Sequence, residues 1–128
     1  MLPRPSNEAI TLAVQNSRWA WLAANLQPEH ITAHDLYWAI YEGGYSSDPR
    51  IRIVAANYLA TSNLHLNVVD RGAVAAWIKE ELRDEARLLL SVALYKRGDR
   101  HPLVVQVFTE ACEDAAVGEL ARKFKTAA

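Results

Sequence analysis

Apolar residues recur at intervals of three and four along almost the whole chain, a period that admits helices and leaves too little to build a sheet. Ile10, Val14, Ser17, Trp21 and Ala24 form one such row, and Leu12, Gln15, Trp19, Leu22 and Leu26 a second. Two rows on one helix imply cover on two sides. Pro3 and Pro5 keep residues 1–6 extended, Ser6 or Asn7 caps the helix, and Pro28 lies beyond its end. Thr32, with Asp35 three residues on, reads as the capping box of a second helix that carries Leu36, Ala39 and Ile40 inward. Gly43 and Gly44 stop it, and Asp48-Pro49 opens a third with Ile51, Val54, Ala55, Tyr58 and Leu59 as its stripe.

Residues 64–69 alternate apolar and polar but stand alone, so they read as a connector rather than a strand. Asp70 is placed to cap a long fourth helix with Val74, Ile78, Leu82, Leu89 and Val92 buried, ending at Gly98. Pro102 opens a fifth, with Val104, Phe108, Ala111 and Ala115, then Leu120 and Phe124 after a disturbance at Gly118. The expected fold is all-α, a compact bundle of about five helices in one domain over residues 1–128. A three-helix module would span residues 8–72, with two helices in residues 73–128.

Charge narrows the function. Fourteen Lys and Arg stand against fifteen Asp and Glu, a net charge of −1. Residues 1–72 are also at −1, and residues 73–128 carry nine of each sign. No basic face offers phosphate binding by counterion release, so nucleic acid is demoted as a partner. Cys112 is the only cysteine, which excludes an internal disulfide and suits a reducing compartment. The first residues lack the apolar core of a signal peptide, and no window approaches the roughly 18 apolar residues of a membrane span. The expected location is the cytoplasm, with leaderless export left open.

Catalytic and metal chemistry find little support. His30 and His34 stand four apart, but a helix capped at Thr32 leaves His30 outside it, and both read as solvated. His65 and His101 are isolated. Cys112 shares a row with Phe108 and Ala115 and reads as a small buried hydrophobe. Glu80, Glu81, Asp84 and Glu85 lie among arginines, which favours a solvated, ion-paired face. Neither catalytic residues, nor a metal site, nor a cofactor is therefore expected.

Aromatic residues are the unusual feature. Tyr37, Trp38, Tyr41 and Tyr45 crowd one short helix and its following loop. Leu36, Ala39 and Ile40 already supply a core face there, so Tyr37 and Tyr41 point elsewhere, as anchors of a protein interface do. Arg50 and Arg52 would form a charged rim. The alternative is a helix-turn-helix at residues 32–61 with Arg50, Arg52 and Asn57 on its second helix, although its connection of about seven residues exceeds the usual three or four.

Residues 31–70 carry Ile-Thr-Ala-His-Asp-Leu, a Gly-Gly loop, Asp-Pro-Arg-Ile-Arg-Ile-Val-Ala-Ala-Asn-Tyr-Leu, then Ser62-Asn63-Leu64, Asn67 and Asp70. With Asn16, Trp19 and Leu22 ahead of it, this stretch resembles a helical module of secreted bacterial proteins, among them type III secretion translocators of the HrpF/NolX type and related effectors. The resemblance covers residues 8–72. It implies a bacterial origin and a secretion context: effector, accessory or immunity protein. The calcium loop often seen in that module is represented here by Gln27-Pro28-Glu29-His30, which lacks the acidic ligands, so calcium is not carried over. The expectation is a non-enzymatic protein that binds another protein, with homo-oligomerisation left open.

Overall fold

The computed structural model describes residues 3–125. Among these the chain forms eight α-helices and no strand: α1 (Asn7–Gln15), α2 (Trp19–Asn25), α3 (Ala33–Tyr41), α4 (Pro49–Thr61), α5 (Val68–Glu80), α6 (Asp84–Tyr95), α7 (Pro102–Glu113) and α8 (Gly118–Arg122). Single 3₁₀ turns lie at Pro28–His30 and Gly43–Tyr45. The all-α class stands, but eight helices replace five, because three expected helices are each broken once. Residues 3–6 precede the first helix without regular structure, and residues 1 and 2 of the expected extended stretch lie outside the described residues.

Each break has an identifiable cause. The first falls at Ser17, which takes a left-handed φ of 55°. Arg18 N–H donates to Ala13 O and Ser17 N–H to Val14 O, the paired bonds of a Schellman stop, here with serine where glycine usually sits. The second falls at Glu81, whose backbone turns extended. Its carboxylate accepts from Arg83 N–H, two residues on, at 3.1 Å, from Trp77 one turn back and from Arg52 on α4. The third falls at Asp114, where Oδ2 accepts from Ala116 N–H and Val117 N–H and starts a new turn.

The caps expected at Thr32 and Asp48 form, and His101, which the sequence left isolated, adds one ahead of α7. Thr32 and Asp35 exchange side-chain-to-backbone bonds at 2.8 and 3.1 Å, Asp48 accepts from Arg50 N–H, and His101 Nδ1 accepts from Leu103 N–H. Asp70 does not cap α5. Asn67 does so by accepting from Asp70 N–H at 2.7 Å, and α5 therefore starts earlier than expected.

Helices α4 and α6 form the centre. All of residues 54–60 are buried, as are residues 88–94, so α4 carries no single stripe but is covered nearly all round. Alanines at 55, 56, 60 and 93 and the buried Ser91 keep the facing surfaces small, while Leu59, Leu90 and Leu94 are wholly enclosed. Each such leucine contributes roughly 1.5–3 kcal/mol over an exposed one. The last carbonyls of α4 are met by cations from the end of α6: Lys96 Nζ donates to Ala60 O at 2.6 Å, and Arg97 donates to Leu59 O and Ser62 O at 3.0 Å.

Several placements differ from expectation. Leu82 is not core but 91% exposed, because the chain has left the helix at Glu81. Glu81 is not solvated but buried. His30 is buried too, with Nδ1 accepting from Gln27 N–H at 3.0 Å, whereas His34 is exposed. Cys112 is buried and free, as its row implied. No helix among the described residues is long and apolar enough to cross a membrane.

Candidate interaction surface

The glycine pair after α3 decides how the aromatic residues are arranged. A Cβ on Gly43 would lie 2.8 Å from Ala55 Cβ and 2.9 Å from Trp38 Cη2, and one on Gly44 would lie 3.0 Å from Trp77 Cζ3. Only glycine lets the 3₁₀ turn press this closely on both indoles. The turn then throws Tyr45 outward, 79% exposed, while Trp38 stays half-buried with its ring 5.8 Å from that of Tyr58.

Helix α3 separates its faces as the spacing required. Leu36, Ala39 and Ile40 are buried, and Tyr37 is 61% exposed. Tyr41, one turn later, stacks at a tilt against Tyr37 with ring centroids 5.0 Å apart. Its hydroxyl donates to Asp70 Oδ1 at 2.6 Å, which ties α3 to the first turn of α5. The Asp70 carboxylate, accepting that hydrogen, holds the Tyr41 phenol above its ordinary pKa. Val68 and Val69, just ahead of Asp70 in that first turn, are also well exposed.

Tyr45 and Leu82 both line a cleft of about 370 Å³ floored by Ile40, Ala73 and Trp77, with Glu81 and Arg52 at its polar side. Here Arg52 Nε donates to Glu81 Oε1 at 3.0 Å, and Arg52 also donates to Ser46 O at 2.9 Å. Trp77 Nε1–H donates to the same Glu81 oxygen at 3.0 Å. Burial by itself would raise the Glu81 pKa, but the Arg52 guanidinium and the two N–H donors outweigh it and hold the carboxyl below its usual range. Arg50 is exposed and folds back on Asp48 at 3.2 Å.

The structure therefore brings Tyr37, Tyr41 and Tyr45 to one side, adds Leu82, which the sequence reading had placed in the core, and leaves Trp38 and Arg52 committed to packing. Arg50 stands at the edge, already paired. Elsewhere, burial pushes the Cys112 thiol above its ordinary value, the opposite of what activates a nucleophile. No group of three or more His, Cys, Asp or Glu side chains converges among the described residues. A second cleft, of about 290 Å³, lies between α2 and α8 and was not foreseen.

Comparison of the chain with protein-family models, curated proteins and solved structures finds no match. The face around Tyr45 thus has to be read from its own chemistry.

Proposed function

We propose that this chain is a non-enzymatic interaction protein that holds another protein against Tyr37, Tyr41 and Tyr45, with Leu82 at the far lip of the neighbouring cleft. The observation that carries this reading is the exposure of Tyr45 and Leu82 on one cleft, beside the exposed Tyr37 that stacks on Tyr41 along α3. Tyrosines offer large contact area with two rotatable bonds, and a hydrophobic partner side chain entering the cleft would find an apolar floor with polar groups at one side. The resemblance of residues 8–72 adds a bacterial, secretion-related setting, as effector, accessory or immunity protein, made in the cytoplasm and open to leaderless export.

The DNA-binding alternative is weaker on this geometry. Arg50 and Arg52, its two cations, are bonded to Asp48 and Glu81. A photo-reactive phenylalanine analogue at position 45, with position 12 as an exposed control, tests the choice in cells of the native host. One protein adduct at position 45, insensitive to nuclease and missing at position 12, is the expected result. Nucleic-acid adducts would move the helix-turn-helix reading to first place, and self-adducts would make the partner a second copy.

A further inference from the structure

The cleft between α2 and α8 exists because the chain breaks at Ser17 and again at Asp114. Each break swings a short helix away from its predecessor, so α2 and α8 become the two walls and α4 and α6 the floor. Trp19, Leu22 and Leu26 line one wall, Leu120 and Phe124 the other, and Leu89 the floor. Its volume of about 290 Å³ is at the lower edge of small-molecule sites, roughly 300–1,000 Å³. That suits one short chain or ring rather than a helix of a partner.

A polar group opens into this apolar space. Asn57 is only 4% exposed, yet it lines the cleft. Its side chain makes one hydrogen bond, with Oδ1 accepting from Thr61 Oγ1 at 3.5 Å, and its Nδ2 donates to no group among the described residues. Every fully buried side-chain nitrogen or oxygen among them has a partner, so this amide keeps its contact with solvent through the cleft. Water in the cleft is the acceptor this donor has, and an acceptor on a bound molecule would take that water's place.

The free amide donor calls for an acceptor, and a lysine stands beside it in the lining. Lys123 lines the cleft, and Lys96 lies behind Asn63 and Phe124, donating to Asn63 Oδ1 at 3.3 Å with Nζ 5.0 Å from the centre of the Phe124 ring. Glu119 balances Lys123 on the lining, and Lys96, set behind it, carries its charge only below its lowered pKa of about 7. We propose that the α2–α8 cleft binds a small, mainly apolar carboxylic acid, its hydrocarbon part between Trp19 and Phe124 and its carboxylate accepting from Asn57 Nδ2 on the side of Lys123.

Sodium octanoate is the probe, titrated into ¹⁵N-labelled protein and followed by amide and indole N–H shifts, with 1-octanol and octylamine in parallel. Saturable shifts at the Asn57 side-chain amide, the Trp19 indole and Phe124 are expected. Octanoate should bind several-fold more tightly than either neutral or cationic analogue. Asn57→Asp, which keeps the shape but removes the donor and adds a like charge, should weaken octanoate about tenfold or more. Leu120→Trp fills the cleft from its half-buried rim and should abolish the shifts while the melting temperature stays close to wild type. This second variant decides the matter if Asn57→Asp does not fold. Absence of saturable shifts overturns the proposal, as do shifts centred on Tyr45 and Leu82, undiminished binding by Leu120→Trp, or equal binding of octanol or octylamine.

Discussion

Arg52 on α4 and Glu81 at the end of α5 meet at 3.0 Å, with the carboxylate side chain only 1% exposed. This pair fixes where α5 stops, where Leu82 emerges and how the Tyr45 cleft is shaped. Replacing Arg52 by methionine leaves the carboxylate buried without its cation, a loss of roughly 3 kcal/mol where one partner of a buried pair is removed. Urea denaturation reads this directly, and an unchanged midpoint would show the pair to be incidental. The same variant should alter the response to acid. Both Glu81 and Asp35 are held below their usual pKa, in each case by an arginine that outweighs the effect of burial. Such groups stabilise the fold above their ordinary pKa and lose that contribution as pH falls through the lowered folded value. In Arg52→Met the Glu81 part of this acid-limb loss should shrink, and the Asp35 part should remain.

Lys96 predicts the opposite limb. Burial lowers its pKa from 10.5 to about 7, assisted by the charge of Arg97. Its polar contacts are the Ala60 carbonyl and the Asn63 amide, and no carboxylate pairs with it among the described residues. Between about 7 and 10.5 the unfolded chain binds the proton that the folded chain has released, so this group's contribution to stability rises with pH across that window. Below it, the penalty of the buried charge is fully present. Lys96→Met should remove the rise. Chemical denaturation at neutral and alkaline pH, wild type against variant, checks it, and parallel curves would contradict the assignment.

Two glycines should answer oppositely to alanine. Gly43→Ala drives a methyl group into Ala55 and Trp38 and should cost about 1–3 kcal/mol through overpacking. Gly72 lies within α5 with nothing within 4 Å of the added Cβ. Its alanine variant should gain roughly 0.5–1 kcal/mol from reduced freedom of the unfolded chain. Thermal melts of the two variants suffice, and a shared sign would refute the packing described around the 3₁₀ turn.

Much of the fold was legible because caps act over three residues. Thr32 with Asp35, and Asp48 with Pro49, could be read from spacing alone. The breaks at Ser17 and Glu81 could not. Serine in a left-handed stop has no composition signal. Glu81 looks like any glutamate in a charged run until Arg52, 29 residues away, is folded against it. Period alone likewise placed Leu82 in a buried row. The outward direction of Tyr37 was readable from Leu36, Ala39 and Ile40, but the fate of Arg52 was not, since it depends on that distant partner. The α2–α8 cleft was illegible because its walls come together only in the fold: the break at Ser17 was unforeseen, and the disturbance expected at Gly118 gave no direction for the short helix that starts there.

The central claim is that the tyrosine face binds a partner, and the most direct test is the double variant Tyr37→Ala/Tyr45→Ala. Both side chains are mostly exposed, so the melting temperature should hold within a few degrees, as for ordinary surface substitutions of about ±0.5 kcal/mol. Affinity of the purified pair, once the position-45 adduct identifies the partner, should fall by at least about tenfold, as loss of two interface anchors implies. Full affinity in a correctly folded double variant would contradict the account and place the binding surface elsewhere on the molecule.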